Sequence, residues 1–154
     1  FTMTVRLPAD WTVVVPPEDE QGMTLPFTQV MFQKDGETVG HVGFNIFELY
    51  EGVERTDENF YRMVYNQLLG NDVTWDCKYT PVVDTETFCA ATCFVDAPVW
   101  EDGKVMAEME RCYYPAVVAF DTDMLVYVAM DFGEDVLPEG MHRQIAESVR
   151  LTRN

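Results

Sequence analysis

The sequence contains few positive charges. Its 154 residues include 10 lysines and arginines against 27 aspartates and glutamates, so the formal net charge is −17. A field of that sign repels phosphate backbones and anionic lipid headgroups, and we therefore expect no binding to nucleic acid or to a membrane surface. Solubility is the simplest interpretation of the acidity. Attraction of a basic partner or of divalent cations is the alternative.

Long apolar runs and short catalytic motifs are also absent. No run approaches the ~20 apolar residues of a membrane-spanning helix, so we expect no direct membrane insertion by this segment, and no signal peptide is present. The sequence has no G-x-S-x-G, H-E-x-x-H or C-x-x-C motif and no phosphate-binding glycine loop. His41 and His142 lie at no zinc-ligand spacing from the cysteines. These absences favour a protein that is not an enzyme and that holds neither a cofactor nor a metal ion.

Three acidic clusters could in principle bind calcium, because hard cations prefer several oxygen ligands. None of them has the D-x-[DN]-x-[DN]-G spacing of a calcium loop, so we interpret them as solvated turn residues. They are Glu18–Glu20, Asp121–Asp123 and Glu134–Asp135.

Apolar residues make up 47% of the chain, enough for a real core, and the length favours one domain over residues 1–154. Asp35-Gly36 predicts a two-residue hairpin turn. The last three strand-like runs predict an antiparallel meander. Pro98 with Gly103 marks the first turn, and Pro115 with the Asp121–Asp123 corner marks the second. The predicted strands are Thr2–Leu7, Trp11–Val15, Phe27–Lys34, Glu37–Leu49, Val73–Tyr79, Thr87–Val95, Lys104–Tyr113 and Asp123–Met130.

Two helices are predicted, over Thr56–Leu69 and Pro138–Leu151, from their apolar periodicity and their end signals. Residues 88–94 are apolar on both faces, which is typical of a strand that is covered on both sides. We therefore expect an α+β fold: a mainly antiparallel sheet, with meander and hairpins, and helices on both faces.

Two short stretches carry a family resemblance. The segment Leu7 to Trp11 (LPADW) resembles the LP-x-x-W opening of PsbP-type domains, and Ile145 to Val149 (IAESV) is similar to the end of that group's last helix. The group includes extrinsic photosystem subunits, Ran-GTPase-binding relatives and many bacterial lipoproteins. The resemblance implies an α/β/α sandwich in which Trp11 and Ile145 anchor the core. It also implies a non-enzymatic binding or assembly module, often exported and tethered to a membrane, and it supplies no shared set of functional residues.

The start of the chain bears on its location. It opens at Phe1, without an initiator methionine and directly on a strand-like segment, as in a mature secreted chain or an excised domain. Together with the resemblance, this predicts an extracellular or cell-envelope location, with a lipid anchor in an upstream segment as one form of it. A cytoplasmic location is the alternative.

The four cysteines could form disulfides. Cys89 and Cys93 are four residues apart on one strand, hence about 13 Å apart, which is too far for a bond with each other. Two pairings remain: Cys77 with Cys89 and Cys93 with Cys112, or Cys77 with Cys93 and Cys89 with Cys112. Buried thiols are the alternative.

Four residues are candidates for a binding surface. Trp100 lies in the predicted Asp96–Gly103 connection, where it is either an exposed anchor or a lid over the core. Tyr61 and Tyr65 lie one helical turn apart, off the main apolar stripe. His41 lies on the more polar side of its strand, and we interpret it as a surface or hydrogen-bonded residue rather than a tuned base.

Three functional hypotheses follow. The first is a secreted or membrane-tethered module that binds a protein or cell-envelope partner. The second is a small-ligand-binding or hydrolytic domain, with a pocket between the helix at 56–69 and the sheet around His41, Asn45 and Tyr65. The third is an oligomeric structural subunit, joined through an edge strand at Lys104–Cys112.

Overall fold

The computed structural model describes residues 1–17, 30–46, 79–98, 100–101, 104–105, 111–133, 135–138 and 140–154. These ranges contain eleven β-strands and one α-helix. The strands are β1 (Thr2–Thr4), β2 (Trp11–Val14), β3 (Val30–Lys34), β4 (Glu37–Ile46), β5 (Thr80–Asp84), β6 (Phe88–Pro98), β7 (Trp100–Glu101), β8 (Lys104–Val105), β9 (Arg111–Asp121), β10 (Val126–Phe132) and β11 (Arg150–Thr152). The helix, α1, is Met141–Ser148.

Seven strands form the central sheet, in the order β2-β3-β4-β10-β9-β6-β5. Every neighbouring pair in it is antiparallel. Two small ribbons accompany the sheet: β1 pairs with β11, which joins the two ends of the chain, and β7 pairs with β8. The long strands β6 and β9 pair along their whole length, from Phe88 opposite Asp121 to Pro98 opposite Arg111.

The hairpin between β3 and β4 is confirmed. Asp35 and Gly36 both have positive φ, 52° and 85°, which is the geometry that a two-residue type I′ turn requires. Beyond the turn, Phe32 pairs with Gly40 but Gln33 pairs with Thr38, so Val39 is the extra residue of a β-bulge. The Val39 carbonyl accepts a hydrogen bond from the Gly133 N–H at 2.9 Å. This carbonyl therefore has a hydrogen-bond partner that does not belong to the β3–β4 pairing.

One face of the sheet carries the main core. The Trp11 ring packs against Phe32 and Phe132, with ring centroids 5.9 and 6.0 Å away. Helix α1 lies over β5, β6 and β9 on this face and buries Ile145 and Ala146. Small side chains below the helix allow this close approach. The buried cluster consists of Trp11, Phe32, Val42, Ala90, Val117, Ala119, Val128, Met130, Phe132, Ile145, Ala146 and Val149.

The opposite face of the sheet is buried as well. Cys89, Ala91, Val118 and Phe120 have no exposed area, and Tyr127 is 1% exposed. Burial raises the pKa of Tyr127 to about 12, so its phenol stays neutral. The two-sided apolar pattern of residues 88–94 predicts burial on both faces. The structure agrees for residues 89–93, whereas Phe88 is half-buried and Phe94 is 52% exposed.

The predicted sandwich with helices on both faces is wrong. The described part of the chain is mostly antiparallel sheet, and its one helix is eight residues long and lies on one face. The helix predicted over Thr56–Leu69 lies outside the described residues, as does Val73–Lys78 of the predicted strand at 73–79.

The closing helix is also shorter than predicted. It begins at Met141 and ends at Ser148, because Val149 takes an extended conformation (φ −62°, ψ 132°) and the chain continues as β11. Leu151 then pairs with Met3 of β1. Pairing with β1 therefore makes the last residues of the predicted helix a strand.

The predicted meander is wrong in its middle strand. Lys104–Val105 is a separate short strand, and β9 runs from Arg111 through Pro115 to Asp121. The sequence predicts a turn at Pro115, yet this residue lies within β9, opposite Phe94. The predicted edge strand at Lys104–Cys112 is divided between two elements. Lys104–Val105 lies in the ribbon with β7, and Arg111–Cys112 begins β9 and pairs with β6, while residues 106–110 lie outside the described residues. The corner at Asp121–Asp123 is a turn, and the Asp121 carboxylate accepts the Asp123 N–H at 2.9 Å.

Candidate functional site

His41 and Asp131 form the one histidine–carboxylate contact among the described residues. They are opposite each other in the register of β4 and β10. The Asp131 Oδ1 atom accepts the His41 backbone N–H at 2.9 Å and lies 3.1 Å from His41 Nδ1. Hydrogen bonding to the Asp131 carboxylate raises the pKa of His41, and burial of the ring opposes that rise. The His41 and Asp131 side chains are 30% and 19% exposed, so the pair lies at the boundary of the core.

The backbone around this pair is closely packed. A Cβ atom added to Gly40 would lie 2.5 Å from the Asp131 carbonyl oxygen. Only glycine therefore fits beside His41 when β4 and β10 are this close. A glycine within a strand predicts a bulge or a close backbone approach, and the structure has both here: the close approach at Gly40 and the bulge at the neighbouring Val39.

A thiol nucleophile does not reach His41 from the described strands. Asp131 pairs with Ala116, and Ala116 pairs with Cys93, so Cys93 is three strands away from His41. At about 4.8 Å per strand this separation is ~14 Å, far beyond a hydrogen bond. The contact between His41 and Asp131 can hold a proton and can fix the orientation of the His41 ring. Cys93 is too far away to form a cysteine–histidine pair with that ring.

The register excludes both predicted disulfide pairings. Each of them joins Cys112 to Cys93 or to Cys89, but Cys112 lies opposite Ala97. Ala97 is four residues beyond Cys93, about 13 Å along the strand, and eight beyond Cys89, whereas a disulfide needs Cα atoms within about 7 Å. Cys89 and Cys93 are buried thiols. Cys77 lies outside the described residues.

The structure describes the predicted binding-surface residues only in part. Tyr61 and Tyr65 lie outside the described residues. Trp100 belongs to β7 and pairs with Val105 of β8, so it lies in a short ribbon and not in a loop. His142 is on α1, with its ring 5.0 Å from the Phe94 ring, and burial lowers its pKa.

A groove between the N-terminal segment and α1 was not foreseen from the sequence. Its volume is about 800 Å³. Residues Thr4 to Pro8 form one wall, and the other wall consists of side chains of α1 together with Arg150. The Arg6 backbone N–H donates to Ser148 Oγ at 2.9 Å, and this hydroxyl donates to the Ile145 carbonyl at 2.7 Å. Because β1 also pairs with β11, the walls are fixed relative to each other.

The described side chains that line the groove carry two positive charges and one negative charge, although the chain is acidic. Arg6 is exposed and makes no ion pair with any described residue. The Arg150 Nη1 atom donates to the carbonyl oxygens of Glu147 and Val149, at 2.8 and 2.7 Å, and to no described carboxylate. The Glu147 carboxylate is 3.2 Å from Arg143 Nε, so a cation already neutralises it.

A smaller depression, of about 550 Å³, lies at the turn after β9, between Asp121 and Arg153. The Arg153 guanidinium donates to the Asp123 carbonyl oxygen at 3.2 Å. In the described ranges no three histidine, cysteine, aspartate or glutamate side chains lie close enough to hold a metal ion. No described helix is both long and apolar enough to cross a membrane.

Comparisons with protein-family models, with curated proteins and with solved structures find no match for this chain. The resemblance to PsbP-type domains therefore stays a prediction. Its two anchor residues do lie in the core, since Trp11 is 9% and Ile145 is 1% exposed. A tryptophan and an isoleucine would be buried in many folds, so their burial does not identify the family.

Proposed function

We propose that the protein is a non-enzymatic binding module, and that it holds a segment of a protein partner in the groove between residues 4–8 and α1. The observation that carries this proposal is the groove itself. It is open to solvent, its walls are fixed by hydrogen bonds, and it is lined by side chains of mixed polarity. A concave surface on a rigid scaffold is the usual setting for a binding site.

The rest of the described structure supports a scaffold role. Both faces of the central strands are filled with apolar side chains, and the described acidic residues lie mostly in turns and at strand ends. The one described histidine–carboxylate contact is not completed by a cysteine within reach. A protein whose apolar residues form the core and whose polar groove is at the surface is suited to holding a partner.

The contact between His41 and Asp131 favours a second candidate, a small-ligand or hydrolytic pocket on the other face of the sheet. A histidine of raised pKa beside a carboxylate is a common element of such sites. A small-molecule library screened by chemical shift would test this candidate. Ligands that shift the His41 ring in the wild-type protein and fail to bind His41→Gln would support it.

A peptide library tests the groove. Gln144 is exposed on α1 and lines the groove, so Gln144→Trp should fill it without disturbing the core. The control is Val13→Trp, which adds the same side chain at an exposed site on β2, at the far end of the sheet order from the strands under α1.

We expect displayed peptides selected on the wild-type protein to bind Gln144→Trp at least about tenfold more weakly and to bind Val13→Trp unchanged. Circular dichroism and the unfolding midpoint would confirm that both variants are folded. Peptides that bind both variants equally, or a selection that returns no peptide, would overturn the proposal.

A further inference from the structure

The geometry points to an acidic partner: we infer that the groove binds a carboxylate-bearing peptide segment through Arg6 and Arg150. This inference rests on the proposed function and adds the chemistry of the partner to it. The inference depends on which charged side chains line the groove and on which of them already have a partner of opposite charge.

Arg6 is the first of these charges. Its backbone is fixed, because its N–H donates to Ser148 Oγ, whereas its exposed guanidinium makes no ion pair with any described residue. A guanidinium presents several N–H donors in a plane, and a carboxylate is the group that matches them.

Arg150 is the second charge, and it is held in place. Its Nη1 atom donates to the carbonyl oxygen of Glu147, in the last turn of α1, and to that of Val149, the residue after the helix. These bonds use one nitrogen of the guanidinium, so the other N–H groups remain to receive a ligand. A fixed arginine loses little side-chain entropy when it binds, which favours affinity.

The acidic residue in the groove does not cancel these charges. Glu147 lines the groove, but its carboxylate is paired with Arg143 on the outer side of α1. The net local charge is therefore positive, in contrast to the charge of −17 for the whole chain. Screening limits the range of the whole-chain field, because the Debye length is about 8 Å at physiological ionic strength.

The same contrast in charge decides which kind of anion fits. A nucleic acid is a long polyanion, and beyond the groove it would meet the negative remainder of the surface. A short peptide segment has its carboxylates only where the arginines are. Leu7, Pro8 and Met141 lie beside the arginines and are half-buried, so they leave apolar surface for the partner's other side chains.

Three fluorescein-labelled peptides test the inference. They share one sequence of serine and leucine, with glutamate, glutamine or lysine at every second position, and fluorescence anisotropy measures their binding. The proteins compared are the wild type, Arg6→Gln and Lys34→Gln. Lys34 is an exposed cation on β3, paired with Asp10 at 3.0 Å, so its variant changes the net charge equally but outside the groove.

We expect the glutamate peptide to bind most tightly, Arg6→Gln to weaken it about tenfold, and Lys34→Gln to change it less than about twofold. Higher salt should weaken the binding. Equal binding of the glutamine or lysine peptide, or equal effects of the two variants, would overturn the preference for acid. If the peptides then bind without a preference for acid but still bind Gln144→Trp more weakly than the wild type, the proposed groove function stands and only the acidic preference fails. If no peptide binds the wild-type protein, both proposals fail.

Discussion

The contact between His41 and Asp131 links the protonation of one side chain to the pairing of two central strands. The Asp131 carboxylate accepts from the His41 backbone and also approaches its ring, so one oxygen serves both groups. The ring becomes a stronger partner when it is protonated, because the contact is then charged on both sides. This explains why the pKa of His41 lies above its ordinary value of 6.5.

Replacing the Asp131 carboxylate should return the pKa of His41 toward its ordinary value. Asp131→Asn keeps the shape and an acceptor oxygen for the His41 N–H, but it removes the negative charge. We expect the pKa of His41 to fall, as measured by NMR titration of the ring proton. The His142 ring is an internal control, because burial against Phe94 and its surroundings determines its pKa.

The same substitution should change how stability depends on pH. A pKa raised by folding gives stability that is complete below the unfolded pKa of about 6.5 and is lost as the pH rises through the folded pKa. The loss of that charged contact should make Asp131→Asn less stable than wild type by ~1–2 kcal/mol at pH 5–6, and by less above pH 8. Urea unfolding at several pH values measures this difference. An identical difference at every pH would show that the ring contact does not form.

At the scale of the element, β2 is held in the sheet chiefly by one side chain. Trp11 packs against Phe32 and Phe132, whereas Val13 on the same strand is 58% exposed. The strand is at one end of the described sheet order, with β3 as its neighbour. Its anchoring therefore depends on aromatic packing more than on ladder hydrogen bonds.

The two positions of β2 give a matched pair of variants. We expect Trp11→Ala to lower the free energy of unfolding by about 3–5 kcal/mol, because it leaves a cavity beside two aromatic rings. Val13→Ala should change it by less than about 0.5 kcal/mol, because the side chain is mostly in water. Chemical denaturation monitored by circular dichroism compares them. Similar losses for both would mean that Trp11 is not the anchor.

At the scale of the whole molecule, the centre of the sheet is covered on both faces. Cys89 has no exposed area and Cys93 is 2% exposed, although each side chain lies on the face away from α1. Buried thiols are protected from reagents until the surrounding structure opens. Their reactivity therefore reports the opening of the second face.

Alkylation with iodoacetamide, followed by mass spectrometry of the peptide that contains both cysteines, measures this protection. We expect labelling in the native state to be at least about a hundredfold slower than in the unfolded chain. Labelling should rise with urea at the same midpoint as the circular dichroism signal. Rapid labelling in the absence of denaturant would contradict burial of the second face.

Local patterns in the sequence determined several features of this protein. The Asp35-Gly36 turn follows from backbone conformation alone, since both residues tolerate positive φ and a two-residue hairpin needs it. The burial of residues 89–93 on both faces follows from their apolar composition, although Phe94, at the end of the same run, is 52% exposed. The close approach at Gly40 was indicated by the lack of a side chain.

Only the tertiary structure decided the rest, because it depends on which distant segments meet. Pro115 ends a strand by propensity, but pairing with Phe94 of β6 keeps it within β9. The predicted closing helix extends to Leu151, but Met3 of β1 is available to pair with that residue. The groove lies between residues 4–8 and α1, more than 130 positions apart in the chain. Its positive charge comes from Arg6 and Arg150, which no local pattern in the sequence connects.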